Sequence, residues 1–230
     1  KIKEIRIKLN LSQEVFSKIL GWSKKSIVRY ENSDSVPQGE YLNTYMILNE
    51  NPYYIVKLLE RQKNNFTEEE YYKILSILPF SKVYKTVNTI LYLLKNNKLC
   101  ETSLMKHLFA VDFYNCKENK EAITNLKYAH LLYGPVVDNR NILYNFLIKN
   151  DYIKIEINDI STNFTTDKDF DKKLFTKEEL NSMKLIKYKF KEYSASELSD
   201  WSHSFKGYID TKNGEIIDYK YAKYLDIDNI

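Results

Sequence analysis

The chain has 230 residues, 43% of them hydrophobic, and a formal net charge of +4 at neutral pH. This length suits one or two domains, and the charge is too small to indicate nucleic-acid binding by itself. No apolar run reaches the roughly 18 residues of a membrane span, and two cysteines are too few for a disulfide framework. We therefore expect a cytoplasmic protein with reduced thiols and no membrane partner. The chain begins at Lys1 rather than methionine, which leaves open whether residues precede it.

The first 62 residues predict a bundle of five helices. Ser12 and Ser23 are typical N-cap residues, and Gly21 suits a left-handed turn between the second and third helices. Two short helices joined by a glycine turn, with apolar residues that share a small core, form the helix-turn-helix arrangement. The apolar spacing gives these bounds: Lys1–Leu9, Gln13–Leu20, Lys24–Glu31, Gly39–Leu48 and Tyr53–Arg61.

This pattern resembles the phage-repressor, or Xre-type, helix-turn-helix family. The resemblance implies that the N-terminal end of the third helix enters the DNA major groove, where Lys and Arg suit guanine edges. It implies a phosphate clamp at the start of the second helix and weaker phosphate contacts from the third. The candidate DNA-binding residues are Gln13, Lys24, Lys25, Ser26, Arg29 and Asn32. The alternative is an ordinary solvated helix face on a module without DNA binding. Ten basic and seven acidic residues in this segment predict modest affinity and a homodimer.

A connecting segment follows at residues 63–80. Residues 62–65 are polar and suggest a hinge. Thr67 and Glu70 form a capping-box pattern, so a short helix is predicted to run to Leu78, where Pro79 ends it. The predicted domains are therefore 1–62, a helix-turn-helix DNA-binding domain, and 81–230, with the connecting helix assigned to neither.

Residues 81–230 predict a mostly helical α+β domain with a small antiparallel sheet, so the whole chain is mainly α. We interpret the aromatic run Tyr128–Tyr133, stopped by Gly134-Pro135, as a loop of fixed shape over a helix pair. The predicted strands are Asp151–Asn158 and Ile160–Thr165. The predicted helices are Val83–Asn96, Glu101–Cys116, Asn139–Lys149, Thr176–Glu192, Ser194–Ser202 and Asp218–Leu225.

One acidic residue, Asp112, lies inside the apolar helix at 101–116. A buried carboxylate needs a hydrogen-bonding partner. We expect a tyrosine hydroxyl or a backbone N–H of the aromatic loop to supply it, in a structural role or as part of a partner-binding site.

Several segments of this second domain together resemble the Panacea domain, also called the SocA-like antitoxin domain. They are Val111-Asp112-Phe113-Tyr114, Leu126-Lys127-Tyr128, Tyr133-Gly134-Pro135-Val136, Leu198-Ser199-Asp200 and Ser202-His203. The resemblance implies an antitoxin that binds and neutralises a toxin from a neighbouring gene, as a homodimer or a toxin–antitoxin hetero-oligomer. The helix-turn-helix domain would then bind operator DNA and repress its own operon, a role in transcription regulation. Because hot spots are rich in aromatic residues, we select these candidate toxin-binding residues: Tyr128, Tyr133, Val136, Val137, Trp201 and Phe205.

Enzymatic function finds little support in the sequence. Glu197, Asp200 and His203 share a helical spacing, yet they lack the Cys pair or His-x-x-x-His of common metal sites. No nucleophile motif and no glycine-rich phosphate loop is present. We expect no enzyme activity, no cofactor and no metal. Three alternatives stay open: a transcription regulator that senses a small molecule or protein, a hydrolase regulated by its DNA-binding arm, and an adaptor that delivers the toxin to a protease.

Overall fold

The chain divides into two compact units, residues 1–81 and residues 82–230. The described part is mainly helical with small antiparallel sheets, which confirms the predicted fold class. Four residues that begin or end predicted elements lie outside the described ranges, namely Lys1, Asn139, Asn158 and Ile160. The computed structural model describes residues 2–32, 35–79, 81–138, 140–157 and 161–228.

The first unit is a helical bundle whose turns follow the local signals of the sequence. Ser12 caps the second helix by accepting a hydrogen bond from the Val15 N–H, and Gly21 ends that helix in the left-handed conformation at φ 69°. The Ser23 hydroxyl accepts a hydrogen bond from the Ser26 N–H at 3.0 Å at the start of the third helix. The helices are α1 (Ile2–Lys8), α2 (Gln13–Leu20), α3 (Lys24–Asn32), α4 (Glu40–Glu50), α5 (Tyr54–Arg61) and α6 (Glu68–Ile77).

The core of this unit lies between α1, α2, α3 and α5. Phe16, Ile27 and Leu59 are each at most 1% exposed there. Helix α6 groups with this unit and buries Tyr71 and Ile74. Its capping box forms as predicted at Thr67. The sequence had left the assignment of this helix open because a cap specifies where a helix begins and not where it packs.

The second unit is built around one long helix. Its helices are α7 (Ser81–Leu94), α8 (Glu101–Asn119), α9 (Arg140–Lys149), α10 (Lys177–Lys189), α11 (Ala195–His203) and α12 (Lys206–Ile209). Its strands are β1 (Leu99–Cys100), β2 (Tyr128–Leu131), β3 (Gly134–Val137), β4 (Lys154–Ile157) and β5 (Thr162–Thr165). Helix α8 is buried on all sides from Ser103 to Phe113 because α10, α11 and β3 pack around it. Its polar residues therefore sit in the core.

Two small sheets flank α8. The predicted antiparallel pair exists as β4 and β5, and β1 adds a two-residue third strand opposite Phe164 and Asn163 of β5. The last predicted helix, at 218–225, is instead a 3-10 helix at Tyr219–Tyr224. Helix α12 was not predicted.

The aromatic segment 128–137 is a β-hairpin, so its prediction as a loop was wrong. Tyr128 pairs with Val137 and Leu131 with Gly134 across the two strands. Pro135 is tolerated because it lies opposite His130, whose N–H and C=O bond to Glu215 and Gly214 on the other edge of β2. That position of β3 therefore needs no donor from proline.

Candidate functional site

The outer face of α3 carries the predicted basic residues. Lys24, Lys25 and Arg29 are exposed, whereas Ile27 on the same helix is fully buried. The Arg29 guanidinium stacks on the Tyr30 ring, 4.8 Å from its centroid, and donates to the Tyr30 hydroxyl at 3.0 Å. Lys24 lies 3.7 Å from Glu14 in an exposed pair, which contributes little to stability. The fold thus aligns three cationic side chains on one solvent-facing surface.

The other three candidate DNA-binding residues surround this face. The Gln13 amide lies at the start of α2, but it donates to Glu31 at 2.9 Å and is engaged within the protein. The Ser26 and Ser23 hydroxyls are 2.9 Å apart in the cap of α3, and Asn32 is exposed at its end. An anion at this helix start would therefore contact the backbone N–H of Gln13 rather than its side-chain amide.

A buried ion pair anchors the C-terminal end of α3. Arg6 donates from Nε and Nη2 to the two Glu31 oxygens, at 2.7 and 2.9 Å, and from Nη1 to the Leu11 carbonyl at 2.8 Å. The Glu31 side chain is 1% exposed. The hydrogen bonds from Arg6 lower the pKa of Glu31 and raise that of Arg6. A two-point Arg–carboxylate contact fixes both distance and orientation, so it sets how α3 lies against α1.

Asp112 is the centre of a buried hydrogen-bond network in the second unit. Its carboxylate accepts hydrogen bonds from the Thr124 N–H at 2.7 Å, from the Thr124 hydroxyl and from the Tyr128 hydroxyl at 2.8 Å. The Tyr219 hydroxyl lies 3.2 Å away and donates to the Leu126 carbonyl at 2.7 Å. Burial raises the pKa of Asp112, and these hydrogen bonds oppose that rise. The expected tyrosine partner is confirmed, while the backbone N–H comes from Thr124.

Four of the six candidate toxin-binding residues lie in the core. Tyr128, Val137, Trp201 and Phe205 are each at most 7% exposed. A buried side chain does not reach a partner in this conformation, so nothing here supports direct contact by these four, which stays an untested prediction. The three aromatic rings among them each pack against Phe109 of α8.

Two residues at the turn of the hairpin are exposed, and we call them the hairpin tip: Leu132 at 75% and Tyr133 at 67%. Val136 on β3 is half-buried. Direct contact by Tyr133 and Val136 remains a prediction. Leu132 was missed because nothing in its local sequence distinguishes an exposed leucine from a core one.

Lys106 is a second residue that sequence reasoning missed. It lies on α8, is fully buried, and donates from Nζ to the Pro135 carbonyl at 3.1 Å. Desolvation lowers its pKa to about 7. The signal was available, since a lysine between Met105 and His107 interrupts the same apolar run as Asp112.

The candidate metal ligands are not assembled into a site. Glu197 accepts hydrogen bonds from Ser194 in the cap of α11, Asp200 is exposed, and the His203 ring lies beside Tyr208. Among the described residues, no group of three or more His, Cys, Asp and Glu side chains is placed to hold a metal ion. Cys100 and Cys116 are free thiols. In the same described part of the chain, no helix is long and apolar enough to cross a membrane.

Comparison with family models confirms both resemblances. A helix-turn-helix model matches residues 2–44, and a model described as antitoxin SocA-like, Panacea domain, matches residues 104–208. Searches of curated proteins and of solved structures find no match. Both families are regulatory rather than enzymatic, the first implying DNA and the second a protein partner. The chain thus carries an Xre-type helix-turn-helix domain followed by a SocA-like antitoxin, or Panacea, domain, the organisation of a DNA-binding, antitoxin-like regulator.

Proposed function

We propose that this protein is a cytoplasmic antitoxin that neutralises a toxin encoded beside it and represses its own operon. The observation that carries the proposal is the order of the two family matches, a DNA-binding module before an antitoxin domain. Neutralisation would be stoichiometric binding that covers or distorts the toxin's active site. It needs no catalytic group in the antitoxin.

The hairpin tip is our candidate contact for the toxin. Leu132 and Tyr133 are exposed next to each other, and both lie within the residues matched by the antitoxin model. A tyrosine supplies a large contact area at a small cost in conformational entropy, which favours a hot-spot role. Two adjacent apolar side chains at a turn suit a concave apolar cleft in a protein partner.

The toxin contact can be tested by growth rescue. The product of the adjacent reading frame is expressed in a bacterium with the full-length chain, either wild type or carrying Leu132→Ser and Tyr133→Ala. We expect the product alone to stop growth, the wild-type chain to restore it, and the double variant to fail although it folds. Tyr188→Ala is a matched control because Tyr188 is equally exposed, at 74%, on α10.

Two results would contradict this part of the proposal. A harmless neighbouring product, or a wild-type chain that does not restore growth, removes the antitoxin function. A double variant that restores growth as well as the wild type removes the hairpin tip as the contact.

We propose that α3 binds operator DNA, with two copies of the chain reading a two-fold site. The support is the exposure of Lys24, Lys25 and Arg29, while Ile27 and the Glu31 side chain on the same helix are buried and hold it to the bundle. Two recognition helices about one DNA turn apart need a two-fold axis, so a palindromic operator and a homodimer are expected.

Replacing Lys25 or Arg29 by alanine should weaken binding to a DNA fragment from the protein's own promoter about tenfold or more. Each lost contact to a phosphate should also lower the slope of log K against log salt by about one. Titration by fluorescence anisotropy at several salt concentrations measures both. Lys8→Ala is the control because Lys8 is an exposed lysine on α1 that is not among the candidate DNA-binding residues. Equal affinity of the wild type for promoter and random DNA would argue against an operator.

A further inference from the structure

Three side chains from three different helices hold the backbone of the hairpin around its tip. The Tyr208 hydroxyl donates to the Leu131 carbonyl at 2.9 Å. The Ser199 hydroxyl donates to the Tyr133 carbonyl at 3.1 Å. Lys106 Nζ donates to the Pro135 carbonyl at 3.1 Å. We call Lys106, Ser199 and Tyr208 the three donors; they come from α8, α11 and α12 and bind alternate carbonyls through the turn.

The hairpin backbone also approaches α8 and α11 more closely than any side chain would allow. Gly134 has φ +90°, which L residues rarely adopt. A Cβ at this position would lie 2.1 Å from Ser202 Oγ and 2.9 Å from Lys106 Cε. The turn is therefore seated against the helices by contact as well as by hydrogen bonds.

Burying the Lys106 amine costs free energy of desolvation, and the amine makes one hydrogen bond in return. Its side chain is fully buried, and the contact described for its amine is with a neutral carbonyl, that of Pro135, rather than with a carboxylate. A buried amine loses its hydration, as the lowering of its pKa to about 7 reflects. A methionine of similar length would fill the same space without that cost. Stability alone therefore does not explain why a lysine occupies this buried position.

We propose that the three donors are positioning residues that hold the hairpin tip in the backbone conformation that the protein partner binds. This inference rests on the proposed function. A tip that is ordered before binding does not lose backbone freedom on association, so affinity is gained without any additional contact. The partner surface that fits such a rigid apolar projection is a preformed concave pocket, as in an enzyme cleft.

Amide hydrogen exchange on the full-length chain tests the positioning without any partner. In Lys106→Met we expect the amides of residues 130–134 and 136 to exchange at least tenfold faster than in the wild type, while those of α8 and α10 do not. Ser199→Ala and Tyr208→Phe should give smaller increases in the same peptide. Lys187→Met is the matched control, because Lys187 also donates to two main-chain carbonyls, those of Tyr92 and Lys95, away from the hairpin.

The functional consequence is measured by growth rescue and by the affinity for the product of the adjacent reading frame. Lys106→Met should bind that product at least tenfold more weakly although Leu132 and Tyr133 are intact. Unchanged exchange at the tip in Lys106→Met would overturn the inference, as would faster exchange with undiminished affinity. If the wild-type chain itself does not neutralise the product, the proposed function fails, and the exchange data still decide whether the three donors hold the tip.

Discussion

Replacing Asp112 by alanine should destabilise the second unit by about 4–6 kcal/mol, because several buried hydrogen-bond donors lose their acceptor at once. The Thr124 N–H and hydroxyl and the Tyr128 hydroxyl would each lose their acceptor in a site from which water is excluded. The removed carboxyl also leaves a cavity between α8 and the segment at Thr124. Since a domain is stabilised by roughly 5–15 kcal/mol in total, much of this unit should be unfolded at 37 °C.

The measurement uses the single tryptophan of each unit. Trp22 lies in the first unit and Trp201 in the second, so urea unfolding followed by Trp201 fluorescence in a Trp22→Phe background reports on residues 82–230 alone. Asp200→Ala is the control because Asp200 is exposed, and it should change stability by less than about 0.5 kcal/mol. An Asp112→Ala loss below about 1 kcal/mol would mean that the network contributes little.

Replacing Lys106 by methionine should instead stabilise the second unit, and the gain should depend on pH. One pKa unit is equivalent to about 1.4 kcal/mol, so lowering the pKa from 10.5 to about 7 costs the folded state at most about 5 kcal/mol while the amine is charged. The variant also loses the hydrogen bond to the Pro135 carbonyl, which reduces its gain in stability by roughly 1–2 kcal/mol. The variant should therefore be about 2–4 kcal/mol more stable at pH 6.

The sign of the pH dependence follows from the two pKa values of Lys106. Between pH 7 and 10.5 the unfolded chain holds a proton that the folded chain has released, so the wild type becomes more stable as pH rises. The stability gap between variant and wild type should shrink by about 1.4 kcal/mol per pH unit from pH 7 to pH 9. Urea unfolding at pH 6, 7 and 9 measures the gap. The Lys191 side chain is 74% exposed, so Lys191→Met should show no such pH-dependent gap in stability. A gap for Lys106→Met that does not change with pH would contradict a lowered pKa of Lys106.

The parts of this fold that the sequence predicted are those governed by neighbours along the chain. Ser12 and Gly21 determine where α2 begins and ends, and the capping boxes at Thr67 and Thr176 mark the starts of α6 and α10. These signals act within four residues, so no tertiary information is needed. The buried carboxylate at Asp112 was also predictable, because an ionisable group inside an apolar helix requires a partner.

The parts that it missed depend on residues far apart in the chain. Gly134-Pro135 is a stop signal locally, but β3 tolerates the proline because its partner His130 bonds to residues 214 and 215 instead. Strand β1 exists only through its pairing with β5, more than sixty residues later. The aromatic residues chosen for toxin contact had the composition of a hot spot and proved to be core, since burial, unlike composition, is a property of the folded chain.

The anchoring of α3 by Ile27 and Glu31 has a consequence for how this module can change. The residues that fix the helix and the residues that face outward are different sets within one nine-residue helix. Substitutions at Lys24, Lys25 or Arg29 therefore leave the Arg6–Glu31 pair and the core undisturbed. The outward residues can therefore be exchanged without redesigning the bundle, so this helix can acquire a different outer surface while its attachment to the core stays the same.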